Sequence, residues 1–205
     1  MESSDGSTME SRIVPLFPLP DLMLFPGQVL PLHVFEQRYR QMTRDLLDGS
    51  GELVLGTVLG EDKQSLAGVA SVQPVAGLGR LEKYEKLPDG RYLVVVLGIS
   101  RVWVEPIGGE RIYPVCRIED LPDEDPAENP ELQMRLRHCI LESAVLDELP
   151  VLTSTGQLAD LLIMTTKMDV HQRYELFAIN NVWDRGEKIL AILRKMGRST
   201  DPGKE

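Results

Sequence analysis

Three histidines, two cysteines and one acidic run are the groups in this 205-residue chain whose types could do chemistry. His33, His138 and His171 could act as bases or metal ligands, and Cys116 and Cys139 as nucleophiles or ligands. A nucleophile needs a base within hydrogen-bond reach and usually a group that orients the base. None of the histidines lies beside a Gly-x-Ser-x-Gly elbow, so each reads as a surface or capping residue. His138 directly precedes Cys139, and neighbouring side chains on a helix diverge, which excludes that pair as a metal site. No CxxC pair exists, so both cysteines read as buried thiols. Ser143 and Lys167 would form a Ser–Lys pair only if folding joined them, and nothing in their spacing requires that. The acidic run LPDEDPAENPE lacks the central Gly and terminal Glu of a calcium-binding loop, and reads as a solvated connector. These residues predict no catalytic group, no metal, no cofactor and no enzyme.

Charge narrows the partners. Lys and Arg total 22 against 32 Asp and Glu, a net charge of −10, with no basic run. Phosphate backbones are held by clustered cations, so this balance weighs against nucleic acid. No apolar run approaches the roughly 18 residues that cross a bilayer. The start, MESSDGSTME, has neither the basic nor the apolar region of a secretory signal. The expected location is cytoplasmic, with no membrane partner.

The elements that must position any site change character near residue 120. Before it, short apolar runs alternate with turn signals; after it, the spacing becomes helical and glycine becomes rare. Between Ile13 and Tyr39, Pro18, Pro20, Pro26 and Pro31 lack backbone donors, which bars them from helices and central strands. Ile13–Phe17 and Val29–Leu32 are therefore read as short extended pieces. His33–Leu47 reads as a helix, with Phe35, Tyr39, Met42 and Leu46 in one stripe. Further strands are expected at Glu52–Leu59, Gly68–Ala76, Gly79–Lys86, Arg91–Leu97, Ser100–Glu105 and Ile112–Glu119. Asp89-Gly90 should turn the central hairpin. About seven short strands at this spacing suggest a closed or nearly closed barrel. Pro130, Ser154 with Gln157, and Asp169 with Gln172 open helices in the second part, and Val182–Met196 forms the last.

The reading is thus a flexible tail (1–11), a barrel domain (12–121), an acidic Pro-rich linker (122–129), a helical subdomain (130–198) and a second tail (199–205). The fold class is α+β, a β barrel with one inserted helix followed by a helical bundle. For binding, the proline-fixed apolar loop Leu22, Met23, Phe25 and Pro26 is the candidate, extended by Tyr84 and Tyr92. Glu36 is expected to pair with Arg80 or Arg101 and hold the helix against the barrel.

The run PLFPLPDLMLFPGQVLPLHVFEQRYRQM resembles the opening of the N-terminal substrate-binding domain of the Lon protease family. GRLEKYEKLPDGRYLVVVLGISRVWV is similar to the family's LPDGRY…GxxRF hairpin, except that Val102-Trp103 follows Arg101 where an aromatic is usual. Ala159-Asp160-Leu161-Leu162 through Arg185 and Leu193 matches more loosely, so the resemblance covers nearly the whole chain. It implies a PUA-like pseudo-barrel, a helical bundle and a role in recognising unfolded or tagged polypeptides; the partners expected of this chain are unfolded or apolar polypeptide segments. A role as adaptor or competitor for a Lon-type protease is the accompanying expectation. No GxxxxGK[ST] loop occurs, since VAGLGRLEK lacks the Lys-Ser/Thr ending, and no peptidase module follows. A stand-alone, non-catalytic domain is the resulting expectation. An RNA-binding PUA-like module and a small-molecule binding protein are the alternatives, and a homo-oligomer is left open.

Overall fold

In the computed structural model, residues 12–60, 72–108, 110–143, 150 and 152–197 are described. They form two compact units that divide between Leu121 and Pro122. The expected tails, and the first part (68–71) of the strand expected at Gly68–Ala76, lie outside the described residues, while its last two residues open β4. The first unit contains β1 (Arg12–Pro20), β2 (Val29–Val34), α1 (Gln37–Leu47), β3 (Glu52–Val58), β4 (Val75–Lys86), β5 (Tyr92–Ile107) and β6 (Val115–Leu121). The second contains α2 (Pro130–Glu142), α3 (Thr155–Thr165), α4 (Val170–Phe177) and α5 (Val182–Lys195). The fold is mixed α+β.

The sheet order is β2-β5-β4-β3-β1-β6, and β5 also pairs with β6. The ring β5-β4-β3-β1-β6 therefore closes on itself and leaves β2 outside it. One long strand makes this closure. β5 meets β2 through Tyr92–Leu97 and β6 through Arg101–Ile107, so the strands expected at Arg91–Leu97 and Ser100–Glu105 are one. Register shifts at Leu78/Gly79 and Leu81/Lys83 bend the β4–β5 ladder between the two regions.

β1 corrects the expectation that proline stays out of central strands. Its first half, Arg12–Pro15, pairs with β6, and its second half, Leu16–Pro20, pairs with β3. The change of partner occurs where Leu16 N–H donates to the Pro114 carbonyl (2.9 Å). Beyond it, Asp21 N–H donates to Val58 of β3 (3.0 Å). Backbone groups alternate along a strand, so odd residues face β3 while Pro18 and Pro20 face away. Each missing donor falls where no ladder bond is required.

Alternation also divides the core. Leu53 and Leu55 of β3 join Phe17 and the α1 residues Tyr39, Met42 and Leu46. Val54 on the opposite face joins Val14, Leu16, Ala76, Val102 and Ile118. Runs apolar on both faces are thus buried on both. At the β4–β5 turn, Gly90 has φ 82°, its N–H donates to Leu87, and the Asp89 carboxylate accepts from Arg91 N–H.

In the second unit, Asn129 caps α2 by accepting from Leu132 N–H (3.0 Å), with Pro130 in the first turn. Ser154 and Gln157 complete a capping box on α3. The segment 122–129 is exposed along most of its length, yet it is more than a solvated connector. Asp123 receives two bonds from the fully buried Arg185 of α5, and Ala127 accepts from the Trp183 indole N–H (3.2 Å). Arg185 also faces the buried Asp160 of α3 at 3.1 Å.

Candidate functional site

The loop between β1 and β2 turns inward. Met23, Leu24 and Phe25 are buried, and Leu22 and Pro26 only partly exposed. Thr57 donates to the Leu22 carbonyl (2.7 Å), Phe25 N–H donates to Gln28, and the Arg101 guanidinium lies 5.8 Å from the Phe25 ring. The strands beneath carry glycines where the loop crosses. A Cβ at Gly79 would meet Leu24 Cδ2 at 2.7 Å, and one at Gly98 would strike the Phe25 carbonyl. Met23 and Phe25 therefore cannot form the exposed binding surface expected of them; an apolar loop with glycine beneath it packs rather than waits. Tyr92 is buried as well, on the inner face of β5. Of the expected aromatic pair, Tyr84 alone is exposed, at 56%.

The expected ion pairs are also rearranged. Glu36 accepts from its neighbour Arg38 (2.9 Å) and Arg80 donates to Glu82 (2.8 Å), while Arg101 is buried against Phe25. Short local pairs win because the side chains lie on one exposed stretch of backbone. His33 belongs to β2 and not to the helix, since pairing of Leu32–Val34 with Val94–Tyr92 holds it extended. The helix starts only after Glu36, whose backbone is still extended. Phe35 therefore drops out of the helical stripe and stands 61% exposed, its ring edge-on to His33 at 6.0 Å.

What the structure assembles instead is a surface centred on β2. On one side, Pro18, Pro20, Leu32, Phe35 and Tyr39 line a cavity of about 220 Å³ between the β1 and β2 edges and the start of α1. On the other, Pro31, His33, Tyr84, Leu93 and Val95 line a groove of about 500 Å³ over β2, β5 and β4. Leu32 and His33 belong to both. The cavity is smaller than the roughly 300–1,000 Å³ of pockets that enclose small molecules. Its floor holds one unsatisfied group: Tyr39 is 3% exposed and its hydroxyl has no hydrogen-bond partner among the described residues. Burial pushes the Tyr39 phenol above its ordinary pKa, so at neutral pH it is a hydroxyl able to donate.

Nothing in this surface resembles a nucleophile with its base. Among the described residues, no group of three or more His, Cys, Asp or Glu is placed to hold a metal ion. Cys116 and Cys139 are buried thiols, and burial raises Cys116 to about 12. No described helix is long and apolar enough to cross a membrane.

Comparison with known proteins adds a family. Residues 13–195 match the model of the ATP-dependent protease La (LON) substrate-binding domain. Among relatives, the chain is 24% identical over 199 residues to Lon protease 2 of Myxococcus xanthus, covering 90% of this chain and 24% of that one. It is 25% identical over 198 residues to the Lon protease of Anaeromyxobacter dehalogenans, covering 89% and 23%. The chain thus spans about a quarter of the length of these curated relatives. Its fold is similar to the crystal structure of a Lon N-terminal domain protein from Xanthomonas campestris, with TM-score 0.68, 23% identity, and 88% and 98% of the two chains covered. It is also similar to the N-terminal domain of the Mycobacterium avium complex Lon protease, with TM-score 0.67, 16% identity, and 88% and 97% covered.

Proposed function

This chain belongs to the Lon substrate-binding domain family, and we propose on that premise that it is a non-catalytic module recognising apolar segments of unfolded polypeptides. The observation that carries the reading is the apolar surface around β2, where Phe35, Val29, Tyr84 and Leu93 stand exposed beside two depressions. Exposed apolar groups grouped on one face, bordered by Glu36, Arg38, Lys83 and Glu85, are the pattern of a protein-binding patch. The reading includes a PUA-like assignment for the barrel, and a role beside a Lon-type protease as adaptor or competitor. The RNA alternative needs a basic face. Arg12, Arg38, Arg80, Arg91, Arg111 and Arg117 instead each face a carboxylate, which favours the polypeptide reading.

The test is binding of a reduced, carboxymethylated reporter protein to Phe35→Asp and Tyr84→Asp variants. Both side chains are exposed, so thermal stability should stay within about 0.5 kcal/mol of the parent. Binding should weaken about tenfold or more as each loses an apolar anchor. Unchanged binding in both variants would overturn the assignment of this surface.

A further inference from the structure

The two walls of the 220 Å³ cavity are strand edges, and each has one side without a strand partner among the described residues. Over Leu16–Pro20, β1 pairs with β3 alone, and β2 pairs with β5 alone. Which backbone groups face the cavity follows from parity. The Gln28 carbonyl accepts from Gly98 N–H of β5 (2.8 Å), so even residues of β2 face β5, and Pro31 and His33 face away. On β1 the residues facing away from β3 are Pro18 and Pro20. With Leu16 N–H already given to Pro114, the facing edges therefore offer the carbonyls of Pro18, Pro20, Val29, Pro31 and His33 but only two N–H groups, those of Val29 and His33, both on β2. The prolines leave an edge that accepts hydrogen bonds and scarcely donates them.

Resting on the polypeptide-binding reading, we infer that this cavity seats a short part of an extended polypeptide strand that continues along the open β1 and β2 edges, held through its own backbone N–H groups by the carbonyls of those edges. A strand lying there would extend both sheet edges and hydrogen-bond by its main chain, so recognition is tolerant of side-chain sequence. Its carbonyls on the β1 side meet no backbone donor, and the buried Tyr39 hydroxyl in the same cavity is the donor available to one of them. A buried hydroxyl is normally paired, and a guest carbonyl completes it. The same prolines disfavour a second copy of this chain docking edge to edge through β1, because two acceptor edges cannot bond each other. A proline-rich segment, lacking N–H groups itself, is excluded as a guest by the same count.

The probe is a capped eight-residue peptide of alternating Val and Thr with a terminal Lys pair. Two analogues carry N-methyl groups on alternate central amides, one analogue for each register. Methylation removes the donors and keeps every side chain. Each analogue should bind about tenfold or more weakly than the parent peptide. Hydrogen exchange at the His33 amide should slow on addition of the parent, while the Leu32 amide, already facing β5, changes little. Equal binding of all three peptides would overturn the strand inference and leave the polypeptide reading standing. Failure of the parent peptide and of the unfolded reporter alike would remove both. Protection of His33 that rises with protein concentration without peptide would make the occupant a second copy, and would also overturn the inference.

Discussion

Arg185 and Asp123, 62 residues apart in sequence, meet through two bonds, Nη1 to Oδ1 at 2.9 Å and Nη2 to Oδ2 at 2.6 Å. The guanidinium is fully buried, its Nη1 also donates to the Ile179 carbonyl (2.5 Å), and Asp160 lies beside its Nε. A planar fork bonded on several sides is a geometry only arginine supplies. The pair fastens the start of the acidic segment to α5 and lets an otherwise solvated stretch close the helical unit.

Asp123→Ala should therefore destabilise the helical unit, because it leaves a buried guanidinium short of charge. Breaking a buried pair costs about 3–5 kcal/mol; with Asp123 partly exposed and Asp160 still present, about 2 kcal/mol is expected. Urea unfolding followed by Trp183 fluorescence, with Trp103→Phe as background, measures it. Arg185→Lys should fail to preserve stability, since an ammonium cannot reproduce the fork.

Tyr113 and Asp45 give a pH signature. The Tyr113 hydroxyl donates to Asp45 (2.6 Å), and this bond is the main cause that holds the Asp45 carboxyl below its usual range. A lowered folded pKa contributes stability above the ordinary carboxylate value of about 3.9, which is lost as pH falls through the folded value. Tyr113→Phe should cost about 1 kcal/mol at pH 7, discounted for the exposure of Asp45. The difference between variant and parent should shrink as pH drops below about 4. A difference independent of pH would show that the bond to the ionised carboxylate is not its source.

Burial holds the Cys116 thiol at about 12, and its S–H faces the Val14 carbonyl at 3.7 Å. Since the thiolate is the reactive form, Cys116 should resist a disulfide reagent at pH 8 in the folded protein. Both cysteines should react fully in denaturant, and native labelling should proceed no faster than unfolding.

The inward β1–β2 loop predicts a contrast between two glycines. A methyl group at Gly98 meets the Phe25 carbonyl, whereas one at Gly108 meets nothing within 4 Å among the described residues. Gly98→Ala should cost about 1–3 kcal/mol, measured by thermal unfolding, and Gly108→Ala should stay within about 0.5 kcal/mol.

The parts of this fold legible in the sequence are those set by neighbouring residues. The Asp89-Gly90 turn, the Ser154–Gln157 capping box and Pro130 in the first turn of α2 each depend on a few adjacent side chains. What stayed hidden depends on register between distant strands. The proline pattern of β1 becomes sensible only once the chain changes partner between Pro15 and Leu16. Likewise the apolar Met23–Phe25 stretch looks exposable until Gly79 and Gly98 are seen to make room for it. Of the residues expected to bind, only Tyr84 lies on the candidate surface, while Leu22 packs against the core. His33 and Phe35 were not legible because the helical spacing after Gln37 continues without a break into residues 33–36, of which β5 holds His33 and Val34 as strand and Phe35 lies between strand and helix. Arg185 gave no local signal, since its partners lie in other elements.

The central claim, that the surface around β2 receives unfolded polypeptide, is tested most directly by site-specific photo-crosslinking. A benzophenone side chain at Phe35 is compared with one at Leu152, another exposed large apolar residue, at 95%. With a carboxymethylated reporter protein, crosslinking through position 35 and little through position 152, competed away by a short apolar peptide, is the predicted result. Equal crosslinking at both positions, or crosslinking at 35 that the peptide does not compete, would contradict the account.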